Sequence, residues 1–316
     1  VLGAHDPEPE EIDPEEWARQ VEVEAAMVSQ GLGGRRRVKT GLRYVDSTLK
    51  LWPRKLTTLA GGTSQGKTAT ALAFTLGVLR QGYRVYYWSG EMAREEIWSR
   101  MAASELGIRY EDIEERRLTL EETQRLTEFM RQLEQKPLVI VDTPRTVANI
   151  RAECRQIAHR SGQVDLVVID YLGLLADLNR EVEGGDRRDV RVGMAVWNLR
   201  QLARELDCHV LMVAQFNREP GKRTTGRPRI TDLKDSSAIE QHSDSVVLVY
   251  RPERDDSLDE QERQEYAQRL ELIIAKQRSG KTGSVWLQYQ ADLQRITSLH
   301  HTQWPDGPPG TRRKST

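Results

Sequence analysis

Cysteine is nearly absent: two in 316 residues, Cys154 and Cys208, both inside apolar-periodic segments. That excludes a disulfide-framed secreted domain and leaves two reduced core thiols. An excess of either charge is also lacking, since 47 basic residues meet 48 acidic ones for a net charge of -1. No global field draws the chain to nucleic acid or an anionic membrane, so any anion-binding surface must be local. No apolar run approaches the ~18 residues of a membrane span. The acidic stretch VLGAHDPEPEEIDPEE lacks the shape of a signal peptide. Internal repeats are absent.

What is present is enough chain for one large domain or two small ones, with 38% hydrophobic and 30% charged residues. Residues 1–12 read as a disordered acidic tail. Asp13 as N-cap and Pro14 at the first position open a short helix, EEWARQVEVEAAMVSQ, which Gly31 stops. Trp17, Val21 and Val28 share one face of this helix. A lone helix of that length is marginal, so it is expected to dock on its own domain or on a neighbouring subunit. GLGGRRR reads as a hinge. The expected domains are the helix at 13–30, a large domain at 31–303 and a flexible tail at 304–316.

Beyond the hinge, β-like and helical runs alternate. Strands are expected at 55–60, 83–89, 137–142, 164–170, 209–215, 245–250, 271–276 and 284–289. Helices are expected at 67–81, 91–106, 120–134, 147–160 and 188–206. Short apolar strands separated by helices imply an α/β fold whose mostly parallel sheet is covered on both faces. The last strands lack intervening helices and should form antiparallel hairpins at one edge.

Within this pattern, LTTLAGGTSQGKTATALA at 56–73 carries G-x-x-x-x-G-K-[ST] through Gly61, Gly66, Lys67 and Thr68. Glycines let backbone N–H groups curl around phosphates, and the following helix N-terminus adds a favourable field. Lys67 would reach the β- and γ-phosphates, and the Thr68 hydroxyl would ligate Mg²⁺. A nucleoside triphosphate site predicts partners at neighbouring strand ends. Asp170 ends VDLVVID and can hold Mg²⁺ or merely cap a turn. Glu91 follows YRVYYWSG and can activate water, or serve as a dipole-favoured acid in the first helical turn. Gln215 ends HVLMVAQ and suits either γ-phosphate sensing or a plain strand end.

Taken in order, GGTSQGKT (61–68), SGEM (89–92), VVIDYLGLL (167–175), VAQFNRE (213–219), RPRITDLKDSSAIEQHSDSVVLVYR (227–251) and AKQRSGKTG (275–283) resemble the RecA-like motor domain of the DnaB family of replicative helicases. The likeness runs from about residue 38 to about 290. It implies a RecA-like P-loop NTPase fold preceded by a linker helix that docks on the adjacent subunit. It further implies a homo-oligomeric ring, usually a hexamer, with ATP between subunits. Gly61, Ser64, Gly66, Lys67, Thr68 and Thr70 become the nucleotide-binding set. Thr68 and Asp170 become the Mg²⁺ ligands, Glu91 the water activator and Gln215 the sensor. Lys276 and Arg278 become the groups that reach the neighbour's ATP. Lys234, Asp235 and Ser237 are placed against the backbone of single-stranded DNA in the channel. Arg187 and Arg188, in NREVEGGDRRDVR, belong to a second channel loop, or to a solvated charged one. The basic stretch 221–229 is expected to contact DNA or another subunit.

Three departures from the family pattern stand out. Its small helical N-terminal domain, which carries primase interaction, is not in the chain. Ser237 replaces a common glycine, so its backbone must suit a residue with a Cβ. Lys234 replaces a common arginine, keeping charge and losing the fork.

The resemblance implies a 5′ to 3′ DNA helicase acting on forked DNA in the cytoplasm of a bacterium or a phage-infected host, with a loader and primase as further partners. A RecA-like DNA-binding ATPase without unwinding, recombinase-like or loader-like, is the alternative. An ATPase acting on protein would not need basic channel loops, and a small-molecule kinase would need a substrate lid.

Overall fold

The computed structural model describes residues 13–30, 37–178, 188–216, 226–233 and 236–305. The chain separates into two units, Val1–Arg37 and Val38–Thr316. In the first, a helix spans Pro14–Ser29, and the Asp13 carboxylate accepts the Glu15 N–H at 3.1 Å. Trp17, Val21, Val23 and Met27 on it are exposed, Trp17 to 60%.

The second unit is built on nine strands: β1 Lys55–Gly61, β2 Val85–Ser89, β3 Leu138–Val141, β4 Leu166–Asp170, β5 His209–Gln215, β6 Ser245–Tyr250, β7 Arg269–Gln277, β8 Gly283–Gln290 and β9 Arg295–Ser298. They form one sheet in the order β3-β2-β4-β5-β1-β6-β7-β8-β9. The first six of that order run parallel, and β7, β8 and β9 are antiparallel. The antiparallel edge expected from the sequence is present. β9 is an addition to the expected strands, because RITS is too short and polar to stand out before its partner strand is known.

Period-2 alternation explains why so many strands are apolar throughout. In β4, Leu166 and Val168 enter one core cluster while Val167 and Ile169 enter the other. β5 divides Leu211 and Val213 from Val210 and Met212 in the same way, and β6 divides Val247 and Val249 from Val246 and Leu248. Both faces are therefore dry, each covered by helices. Helices Lys67–Arg80 and Arg94–Leu106 cover the first face through Phe74, Leu76, Ile97 and Met101; helices Val147–Ser161 and Arg188–Glu205 cover the second through Ile150, Val196 and Leu199. Cys154 and Cys208 are free and buried in this second cluster, and burial pushes the Cys154 thiol up to about 12. Among the described residues, no helix is long and apolar enough to cross a membrane.

His209 opens β5 at 1% exposure, with Nδ1 2.7 Å from the Trp52 carbonyl and Nε2 3.1 Å from the Thr57 hydroxyl. Burial pushes this imidazole down from 6.5 to about 4. The unfolded chain therefore binds a proton that the native state refuses between those values. Its contribution is complete above pH 6.5 and is lost as pH falls toward 4, about 3 kcal/mol in all. Denaturant unfolding of parent and His209→Gln across that window should show a steeper acid loss for the parent. Equal slopes would refute the assignment.

Candidate active site

The parallel order places functional side chains side by side. β4 lies between β2 and β5, and β5 lies beside β1. Ser89 registers with Asp170, and Gly61 with Gln215. Four carboxyl-terminal strand ends, at the ~4.8 Å spacing of neighbouring strands, open onto one cleft of about 770 Å³. Its lining includes Ser64, Gly66, Lys67, Thr68, Glu91, Asp170 and Gln215, brought together from four segments far apart in sequence.

The phosphate loop joins β1 to the helix Lys67–Arg80. Gly66 caps that helix at φ 91°, an angle that favours glycine, and a Cβ there would lie 3.2 Å from Leu270 Cδ1, a tight contact to which the leucine tip would have to yield. Ser64 adopts φ 58° without being glycine, a conformation costing on the order of 1 kcal/mol. Lys67 Nζ donates to the Gly62 carbonyl at 2.7 Å. Burial draws its ammonium below the usual lysine range, and the nearby Asp170 and Glu91 carboxylates oppose that shift. Thr70 faces the protein interior: it is fully buried, and its hydroxyl donates back to the Gly66 carbonyl at 2.8 Å. The structure does not bring it to the cleft.

Asp170 is 5% exposed, and the Tyr87 hydroxyl donates to it at 2.8 Å. Burial raises its carboxyl, while hydrogen bonds from Tyr87 and Thr68 and the charge of Lys67 lower it. Glu91 lies in a bend, because the helix expected from residue 91 begins at Arg94 with Ala93 as its cap. Ser89 Oγ takes the Met92 N–H at 3.1 Å and donates to the Met92 carbonyl at 2.6 Å, and Gly90 N–H donates to the Asp170 carbonyl at 2.7 Å. These bonds tie the bend to the end of β4. They leave Glu91 outside the first helical turn, so a dipole-favoured helix acid does not describe it. Gln215 Nε2 donates to Thr63 Oγ1 at 2.8 Å, linking β5 to the phosphate loop.

Sequence reasoning missed Arg100, Arg251, Arg254, Tyr289 and Gln294, which also line the cleft. Arg251 is 5% exposed; its N–H donates to Gln65 Oε1 at 2.7 Å, Nη1 donates to the Ser64 carbonyl at 3.0 Å, and its guanidinium stands 4.7 Å over the Tyr289 ring. Their sequence signal was position: Arg251 follows β6 directly and Tyr289 ends an expected strand.

Lys276 and Arg278 do not line the cleft. Lys276 Nζ donates to the Glu240 carbonyl and Arg278 Nη2 to the Gln241 carbonyl, at the C-terminal end of helix Ser236–His242, where cations are favoured. Ser237 is exposed within that helix. Its backbone is helical, which accommodates a Cβ, so the missing glycine imposes no strain. Lys234, Asp235 and Arg187 lie outside the described residues, as does the Arg188 side chain at the start of its helix. In the stretch 221–229, residues 221–225 lie outside the described residues, and Arg227 is paired within the chain. Its Nε and Nη2 donate to Glu271 at 2.9 and 2.6 Å, and Glu271 is 1% exposed. The pair buries the carboxylate and leaves the Arg227 side chain half-buried.

A glycine loop between a buried strand and a helix, with a carboxylate and an amide at the ends of adjacent parallel strands, defines a RecA-like P-loop nucleotide-binding domain. Residues 37–298 match the family described as DnaB-like helicase C terminal domain. The chain belongs to that family. It is 33% identical over 265 residues to the replicative DNA helicase DnaB of Geobacillus stearothermophilus, covering 83% of this chain and 56% of that one. It is 33% identical over 277 residues to the replicative DNA helicase DnaC of Bacillus subtilis, covering 86% and 59%. The chain thus spans somewhat more than half the length of these relatives. Among solved structures, one described as an ATPase domain superimposes with a TM-score of 0.79 at 26% identity, over 91% of this chain and 100% of that one. A DnaB-like replicative helicase, solved in a study of its interactions with primase, gives 0.76 at 25% identity, over 89% and 66%.

Proposed function

We propose that the chain is the ATP-hydrolysing motor of a DnaB-type ring, a hexamer, that moves 5′ to 3′ along single-stranded DNA and unwinds forked duplex. The observation carrying this reading is a division of labour. Lys67, Thr68, Glu91, Asp170 and Gln215 converge on one cleft, while Lys276 and Arg278 stay off it. In a ring, these two cations would complete the cleft of the next copy, and hydrolysis would then couple to subunit motion.

In this reading, Lys67 and the loop N–H groups hold the β- and γ-phosphates. Glu91 accepts a proton from the attacking water. Gln215 senses the γ-phosphate, and its bond to Thr63 lets the loop report on β5. Thr68 and Asp170, which line the cleft together, form a hard-oxygen donor pair that fits Mg²⁺. When bound, that ion supplies positive charge against the β- and γ-oxygens. Tyr289, Arg100 and Gln294 form a wall of the cleft that suits the nucleotide base. Helix Pro14–Ser29 seats Trp17 and Val21 on an adjacent copy. Lys234, Arg187 and Arg188 supply cations to DNA phosphates, Asp235 and Ser237 lie beside them and offer backbone N–H groups, and a loader and primase are partners of the ring in a bacterial or phage-infected cytoplasm.

Strand displacement from a forked duplex tests this. With ATP, unwinding is expected when the free tail is 5′ and not when it is 3′. Absence of both displacement and ATPase stimulation by single-stranded DNA would sink the helicase reading and leave a switch-type ATPase.

A further inference from the structure

The segment between β6 and β7 touches two places at once. On one side, Arg251 closes on the phosphate loop through Gln65 and Ser64. On the other, the preceding residue, Tyr250, donates its hydroxyl to Asp255 Oδ2 at 2.5 Å. Asp255 Oδ1 accepts the Ser257 N–H at 2.9 Å and its hydroxyl at 2.6 Å, and Ser257 Oγ accepts the Gly226 N–H at 2.8 Å. Gly226 sits so close that a Cβ would lie 2.3 Å from Asp255 Oδ1. The next residue, Arg227, forks onto Glu271, which is the ladder partner of Tyr250. The chain then runs through Arg229, whose N–H donates to Asp232 at 2.7 Å, to Leu233, which bridges Phe216. Lys234 and Asp235 follow immediately.

Four links in this path are shielded, Tyr250 at 3% exposure, Arg251 at 5%, Asp255 at 7% and Glu271 at 1%, while Arg227 is half-buried and Arg229 and Ser257 are exposed. Buried, fully paired polar links transmit displacement because breaking any one strands a desolvated group. A forked Arg–carboxylate pair also fixes direction as well as distance. The shielded links lie on the inner side of the path and end, through Arg251, at the phosphate loop.

We infer that Arg227 and Ser257 are positioning residues that fasten the segment 226–233 to the β6–β7 wall of the nucleotide cleft, so that occupancy of the phosphate loop is felt at the residues leading to Lys234. This rests on the proposed reading of the chain as a DNA-stimulated ATPase. Neither residue lines the nucleotide cleft; each acts through Tyr250 and Arg251.

The test compares the parent with Arg227→Ala, Arg227→Lys and Ser257→Ala, each of the full chain. ATPase is measured with and without oligo-dT, and oligo-dT affinity is measured against salt. Ser257 is exposed, so its variant keeps the fold if Arg227→Ala does not. Expected are a basal rate and KM for ATP within about twofold of the parent, with stimulation by DNA reduced about tenfold in Arg227→Ala and about threefold in Ser257→Ala. Arg227→Lys, which keeps charge without the fork, should recover part of the loss. The salt slope of binding should stay unchanged. A slope lower by about one in Arg227→Ala would make Arg227 a phosphate contact and overturn the inference. So would parental stimulation in Ser257→Ala, or a lowered thermal midpoint with the stimulation ratio intact. An unstimulated parent would overturn the helicase reading and this inference with it.

Discussion

Replacing Lys67 with alanine is expected to lower ATP hydrolysis about a hundredfold or more, the scale for removing one charge-stabilising donor from a closed site. The fold should persist. Lys67 Nζ donates to the Gly62 carbonyl, a bond worth about 1 kcal/mol. The helix that Lys67 opens is held by Phe74, Leu76, Val78 and Leu79, which point into the core. Circular dichroism and the thermal midpoint should therefore stay close to the parent while turnover collapses. Hydrolysis at the parental rate would remove the cleft from consideration as the catalytic site.

The second large effect is cooperative. Arg278→Ala alone should lose about a thousandfold in turnover, the scale of an arginine supplied to a phosphoryl-transfer site. Glu91→Ala alone should lose about a hundredfold or more. Mixing the two is expected to restore activity. An interface formed by Glu91 from an Arg278→Ala subunit and Arg278 from a Glu91→Ala subunit has both groups intact. Random equimolar assembly in a head-to-tail ring makes about one quarter of interfaces whole. The placement behind this is the separation of the two residues in one chain: Glu91 lines the cleft, and Arg278 is held to the Gln241 carbonyl beyond it. Titrating one variant into the other should give a maximum near equal amounts. Flat inactivity at every ratio would mean that the two residues do not serve one shared site.

Much of this architecture was legible from composition and period. β4, β5 and β6 are apolar at successive positions because a sheet covered on both faces leaves no side of the strand for polar groups. The phosphate loop was legible because its demands are local: glycine at φ 91° in Gly66, a lysine and a hydroxyl at once after it. Asp170 and Gln215 were legible because they break apolar runs at strand ends. The helix start was misplaced from Arg94 to Glu91 because Ala93 caps it without a polar side chain. Arg251 and Tyr289 were missed because nothing local says that β6 lies next to β1, or that β8 bends back toward the loop. The pairing of Arg227 with Glu271 was not legible for a related reason. In GKRTTGRPR Arg227 is one cation among several, and only the sheet register places the buried Glu271 beneath it.

By itself the sequence determined the class of fold, the phosphate loop and the set of strand-end residues, since each rests on interactions among residues near in the chain. The tertiary structure alone decided which strand ends are neighbours, that Thr70 faces the core, that Lys276 and Arg278 leave their own cleft, and that Arg227 pairs with the buried Glu271. Those outcomes depend on pairing between segments tens to hundreds of residues apart, where burial of one partner sets the charge and direction of the other.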